Sequence, residues 1–299
     1  MFFASRDDHG PHVVLLQAIL RLHGYNLTIS GHWQDKTDEA VTNFRKTMGL
    51  PSAKHGFANG PVFARLLGGK RIKVIDAIDA SAGAVFTFGV ESIKSEGIKP
   101  VVNEKRIGHG VEDAMSRIRK RATGHKIGAL RFSGHGNRGR WISLAVGDPV
   151  HAEGPSHVAE HSAMVADWPS RIDYNHLEKM KPILRTLAPS FAPFGFVEAH
   201  CCRIGQQGPL LEALADVWGV PVSGGMEDQQ IGSAREDQWG NKILTTFSLI
   251  GPVNTAYPGN MNLAQWAARA DHLIPNFPGL LEKGKNAVKG QLKTFEASR

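Results

Sequence analysis

Cysteine is almost absent from this chain. Its 299 residues contain two, Cys201 and Cys202, side by side in the stretch FVEAHCCRIGQQG. Neighbouring cysteines rarely bridge each other, because the small ring they would close is strained. No disulfide framework is therefore available, and composition leaves the redox compartment open. No run of about 18 apolar residues occurs, so no membrane span is expected. The start, MFFASRDDHG, has acidic residues where a signal peptide needs a basic end and an apolar stretch. The chain is expected to stay inside, to leave by a route without a cleavable signal, or to be a trimmed piece.

Other signatures are missing too. No glycine-rich phosphate loop follows any apparent strand, so no nucleotide or other cofactor is expected. The Gly-x-Ser-x-Gly elbow of serine hydrolases does not occur. Basic residues are not interleaved with aromatics as in single-strand binders, and no nucleic-acid partner is expected. Histidines are plentiful, 14 in all, and His151, His157 and His161 lie close together in HAEGPSHVAEHS. Gly154 and Pro155 make that stretch a loop, and its Glu160 does not directly follow His157 as a zinc-peptidase helix requires. No metal site is expected.

What is present describes a water-exposed globular chain with a basic surface. Hydrophobic residues make up 41% and charged residues 21%, and the formal charge is +7, which suits polyanionic surroundings. The length is generous for one domain and comfortable for two. RIRKR, residues 117–121, falls in a helical pattern and reads as a solvated helix face.

Residues 13–24, VVLLQAILRLHG, place Val13, Leu16, Ile19, Leu20 and His23 at helical spacing and stop at Gly24. Thr37 reads as the cap of a second helix reaching residue 48, with Asp38 and Glu39 in its first turn and Ala40, Val41, Phe44 and Met48 on its apolar face. A short third helix, PVFARLLGG, starts at Pro61 and ends in glycine. These segments resemble the three-helix peptidoglycan-binding domain: Leu-Gln in helix one, Gly-Tyr after it, Thr then Ala-Val and Phe in helix two, then Gly-Leu and a short last helix. The likeness covers residues 9–69 and departs at Arg45, usually Gln, and at Pro61, usually Thr. It implies a wall-binding module, with peptidoglycan or another anionic wall polymer as partner.

From Lys70 the rhythm changes. RIKVIDAI, IKPVVN, KIGALRFSG, FGFVEAHCC and VPVSGG read as strands. AGAVFTFGVESIKSEG, GVEDAMSRIRKRATG (with Val111, Ala114, Met115 and Ile118 on one face), YNHLEKMKPILRTLAPSF and PLLEALADVWG read as helices between them. That alternation predicts a parallel sheet covered on both faces, with function at the carboxyl ends of its strands. The third strand delivers Ser133, Gly134, His135 and Gly136, and the fourth Glu198, His200, Cys201 and Cys202. His135 and Cys202 are 67 residues apart, which fits one crossover plus an insertion between neighbouring strands. An imidazole beside a thiol raises its thiolate fraction and can later protonate a leaving amine. Nearby glycines let a carbonyl approach backbone N–H groups that stabilise an oxyanion. The positive end of the helix that follows is expected to favour the thiolate further.

RFSGHGNRG and VEAHCCRIGQQG resemble the two halves of the caspase-like cysteine peptidase pattern, a strand ending in His-Gly and a later one ending in a Cys-x-x-Gly unit. The resemblance spans roughly residues 70–250 and implies an α/β/α sandwich with a mainly parallel sheet. With Cys202 aligned as nucleophile, Cys202-Arg203-Ile204-Gly205 reproduces the spacing. A shift by one residue makes Cys201 the alternative nucleophile. Cys201 otherwise reads as a small buried hydrophobe, and His200, two residues from Cys202, as a further candidate. The expected roles are Cys202 as nucleophile, His135 as acid and base, and the N–H groups of Gly136 and Cys202 as oxyanion donors. Glu227 and Asp228, after the fifth strand, are substrate-pocket candidates that would favour a basic side chain.

The expectation is thus a three-helix domain over 1–69, a caspase-like hydrolase over 70–260, and a basic helical extension over 261–299 with Leu263, Trp266 and Ala267 on its apolar stripe. The chain would be a wall-targeted cysteine peptidase, outside the cell, in the periplasm, on the wall or inside the cell, acting on a peptide or protein substrate. Two alternatives stand beside it: a peptidoglycan hydrolase, as in an antibacterial effector or phage lysin, and a non-catalytic wall-binding or interaction protein on a retired peptidase fold.

Overall fold

The computed structural model describes residues 4–53, 56–79, 101–103, 110–134, 136, 141–144, 171–229, 234–236, 240, 242–244 and 248–274. The predicted helix over 82–97, His135, the histidines 151, 157 and 161, and the basic tail from 275 onward lie outside them.

Three helices open the chain, α1 Pro11–Leu22, α2 Asp35–Thr47 and α3 Gly60–Leu67. Thr37 does not cap α2. The helix starts two residues before it, with Gln34 in the cap position. The Thr37 hydroxyl instead accepts a hydrogen bond from Gln17 Nε2 at 3.0 Å, which takes it away from capping. Gln17 is fully buried and uses its whole amide. Its oxygen accepts from the Ser30 and Gly31 N–H groups at 2.9 Å, and its nitrogen also donates to the His32 carbonyl at 2.9 Å. Arg45 is likewise structural. It is buried and donates to the carbonyls of Pro51 and Phe57, so it holds the loop ahead of α3.

Among the described residues ten strands follow: β1 Ile72–Asp79, β2 Val101–Asn103, β3 Lys126–Ser133, β4 Trp141–Ser143, β5 Arg171–Asp173, β6 Phe191–His200, β7 Val222–Gly225, β8 Ala234–Glu236, β9 Lys242–Leu244 and β10 Val253–Ala256. Four more helices are described, α4 Gly110–Ala122, α5 Leu177–Arg185, α6 Gly208–Trp218 and α7 Leu263–Leu273. Six strands make one sheet in the order β2-β1-β3-β6-β7-β10. All its pairs are parallel except the edge pair β7–β10. The chain is therefore α/β with a mainly parallel sheet, as the alternation of elements predicts. Two small antiparallel pairs, β4–β5 and β8–β9, lie outside this sheet.

Helices α4, α5 and α6 cover one face of the sheet, where Trp218 of α6 stacks on Phe132 and meets Phe191. Val111, Ala114, Met115 and Ile118 of α4 are all buried there, and the residues at 119 and 120 are exposed, as the helical pattern anticipates. The opposite face is covered by α1 and α7, which also touch each other and share an Arg21–Asp271 ion pair. Leu15 of α1 reaches the sheet at Gly128, where a Cβ would sit 3.0 Å from its Cδ1. The residues from Val13 to Leu20 are buried without exception. A helix apolar all round is a helix enclosed all round, and one continuous apolar core runs from the three N-terminal helices through the sheet to α7. Trp266 and Ala267 of α7 belong to it, with Leu263 packed at its margin.

Candidate active site at the rim of β3 and β6

Strands β3 and β6 are parallel neighbours, in register from Ala129 opposite Phe196 to Ser133 opposite His200, so they end together at one rim. Beyond the strand ends the contact continues. The Gly134 N–H donates to the His200 carbonyl at 3.5 Å. Gly136 lies flat against the Cys201–Cys202 peptide. A Cβ at residue 136 would lie 2.3 Å from the Cys202 carbonyl oxygen and 2.8 Å from the Cys202 nitrogen, so backbone would have to shift to admit it. Only glycine allows this approach. The two segments that the sequence expects to meet, after the third and fourth strands of the sheet, do meet at Gly136 and Cys202.

The adjacent cysteines have different environments. Cys201 has no exposed surface and belongs to the apolar core, whereas Cys202 is half-buried at the turn after β6. The Cys202 thiol donates to the Gln229 carbonyl, with sulfur and oxygen 3.7 Å apart. Burial pushes the thiol pKa up. The Asp228 charge adds to that, while the Gln229 contact and the Arg203 charge oppose it without reversing it. The expected help from the following helix does not arrive. A turn and a short 3-10 segment, Ile204–Gln206, intervene, and α6 begins only at Gly208. A helix dipole fades within a turn of its end.

Arg203 makes the turn. Its φ of 57° is left-handed, a conformation that non-glycine residues adopt rarely and often at functional sites. Its N–H donates to the Glu227 carbonyl at 2.9 Å, and its Nε and Nη2 make a bidentate pair with the two Asp228 carboxylate oxygens, both at 2.9 Å. The carboxylate that would greet a basic substrate at Asp228 is thus already engaged. Glu227 is exposed, and its carboxylate lies over Gly251.

Below the rim, on the face covered by α1 and α7, runs a row of buried polar side chains. Asp76, Arg131, Glu198 and Ser223 stand opposite one another on β1, β3, β6 and β7, and Thr255 of β10 continues the row. Arg131 Nε meets Asp76 Oδ1 at 2.6 Å, both side chains being closed to solvent. His200 Nε2 meets Glu198 Oε2 at 3.0 Å, and the Ser223 and Thr255 hydroxyls pair at 2.8 Å. Burial works against the Asp76 carboxylate, but the Arg131 charge and hydrogen bond, together with smaller contributions, outweigh it and keep the pKa below the usual range. His200 points into this row and not towards solvent, being 1% exposed. Sequence reading passed over the row and over Arg203. A signal was present in a charged residue within each of three apolar strands, at Asp76, Arg131 and Glu198.

Among the described residues no group of three His, Cys, Asp or Glu side chains could hold a metal ion, and no helix is long and apolar enough to cross a membrane. Comparison with known proteins adds no relative. No family profile, curated protein or solved structure matches the chain. The case for a function therefore rests on the residues and their geometry.

Proposed function

We propose that the protein is a cysteine hydrolase of the caspase-like kind, an α/β/α sandwich in which Cys202 is the nucleophile and His135 its acid and base. One observation carries this reading: Gly136, next to His135 in the chain, packs on the Cys201–Cys202 peptide at the rim where β3 and β6 end side by side. The choice of Cys202 over Cys201 follows from access, since only Cys202 reaches the surface.

The environment of the thiol sets the order of events. Burial disfavours a free thiolate, so the proton leaves as the sulfur attacks, and His135 takes it as general base. The Cys202 sulfur bonds to the substrate carbonyl carbon, and the carbonyl oxygen becomes an oxyanion facing the N–H groups of Gly136 and Cys202. Collapse breaks the carbon–nitrogen bond, with the imidazolium proton going to the departing amine, and leaves a thioester. Water, deprotonated by His135, then attacks the thioester. It releases the acid, and the sulfur recovers its proton.

The three N-terminal helices carry the resemblance to peptidoglycan-binding domains, and we read them as the part that holds the enzyme on anionic wall polymer. The positive charge favours the same surroundings. Local enrichment of this kind raises the effective substrate concentration. Incubating purified protein with casein and with peptidoglycan sacculi tests both parts. Casein fragments or soluble muropeptides, lost in Cys202→Ala and in His135→Ala, are the expected result. No product from either substrate, together with no labelling of Cys202 by a thiol-directed acyl probe, refutes the hydrolase.

A further inference from the structure

The segment 226–229 leaves the end of β7 and runs across the turn that bears Cys202. It is tied on both sides. Towards the cysteine turn, the Arg203 N–H holds the Glu227 carbonyl at 2.9 Å, Gln206 Nε2 holds the Met226 carbonyl at 2.8 Å, and the Arg203 guanidinium grips Asp228. Towards β10, the Gln229 amide both donates to the Ile250 carbonyl at 3.1 Å and accepts from its N–H at 2.8 Å. The Gln229 carbonyl is thereby held where it receives the Cys202 thiol hydrogen.

We propose that 226–229 is a strap that covers the Cys202 thiol at rest, and that the Arg203–Asp228 pair is its latch. The ties differ in kind. Those to Ile250 and to the Glu227 and Met226 carbonyls involve neutral amides, whereas the latch joins two charges that are 44% and 60% exposed. An ion pair so open to water contributes little and is easily exchanged or screened. It is also the tie that sets a charge of each sign beside the sulfur. Among the described residues, Asp228 on the strap and Arg203 on the thiol's own turn act on Cys202 as charges of opposite sign. When the strap lifts, the negative charge departs with it and the Arg203 cation stays beside the sulfur. Water reaches the thiol at the same moment. Exposure to water and loss of the Asp228 charge both favour the thiolate, and because burial is the largest influence on this thiol they outweigh the loss of the Gln229 contact, which acts the other way.

The inference rests on Cys202 being the reactive thiol but not on any hydrolysis. Its test is the alkylation rate of the full-length protein by iodoacetamide, read at each cysteine by mass spectrometry across a pH series. Asp228→Asn should speed modification of Cys202 about three- to tenfold near neutral pH and move its pH midpoint down. Asp228→Glu, which can rebuild the pair, should return the rate most of the way. Salt raised to about 1 M, where charges are screened beyond about 3 Å, should accelerate the unsubstituted protein more than Asp228→Asn. An unchanged or slower rate in Asp228→Asn, or an equal salt response in both proteins, overturns the strap. A faster rate in a protein that cleaves neither casein nor sacculi keeps the strap and removes the hydrolase. Cleavage with no change in alkylation does the reverse.

Discussion

On one face of the sheet Phe132 stacks on Trp218 with ring centres 6.0 Å apart, and the Trp218 N–H finds the Leu184 carbonyl at 3.1 Å. On the other face, one residue along the same strand, Arg131 is closed to water against Asp76. The first arrangement gains from every square ångström of apolar surface removed from water. The second must offset the removal of two charges from water, and such pairs seldom contribute net stability. The comparison teaches a division of labour. The α4–α6 face packs apolar side chains around Trp218 and Phe132, whereas the α1–α7 face adds to its apolar packing a polar row that ties together the strands whose ends carry Gly136 and Cys202.

Substitutions can break that contrast, beginning with the largest effect. Trp218→Ala should cost about 4–5 kcal/mol in urea unfolding, because it empties a large buried site and removes the hydrogen bond from the indole to the Leu184 carbonyl. Arg131→Met alone should cost about 3–4 kcal/mol by leaving the Asp76 carboxylate buried without its partner charge, whereas Arg131→Met with Asp76→Leu should recover most of it. A double variant as unstable as the single one would show that the row is a true source of stability.

The C-terminal end of α1 offers a pH test on the charged side. Burial lowers the His23 pKa from 6.5 to about 4, with the neutral ring held by the Leu66 carbonyl. The unfolded chain therefore takes up the proton more readily between these values. Stability should fall, by on the order of 3 kcal/mol in all, as pH drops from 6.5 towards 4. His23→Phe should flatten that window in a series of urea titrations.

At the rim, Gly136→Ala should cost about 1–3 kcal/mol, since its Cβ meets the Cys202 backbone, and it should change the alkylation rate of Cys202. Least of all, Arg117→Gln on α4 should shift stability by under about 0.5 kcal/mol, because its partner Asp113 is a half-buried neighbour one turn away on the same helix, in a pair open to water. A larger loss there would move part of the apolar face's stability onto its surface charges.

The apolar face was legible in the sequence because its information is local. Val111, Ala114, Met115 and Ile118 repeat at helical spacing, and all four are buried as the repeat requires. The adjacency of the third and fourth strands was legible as well, since a crossover of that length leaves few other arrangements. The charged row was not, because periodicity treats Asp76, Arg131 and Glu198 as flaws in three separate strands, and only the register makes them one row. The start of α2 was misread for a related reason. Thr37 has the chemistry of a cap, but Gln17, twenty residues earlier, claims its hydroxyl. Nor does composition reveal that Arg203 bends the backbone into a left-handed turn and closes on Asp228.

Because α1 is enclosed on every side, the stretch before Lys70 is no detachable cassette. A fragment starting there would leave the sheet around Gly128 and Ile72 wet where Leu15 now lies. Such a truncation would tend to clump rather than report on the thiol, and swapping the leading helices for those of another protein would require recutting the interior along with the join.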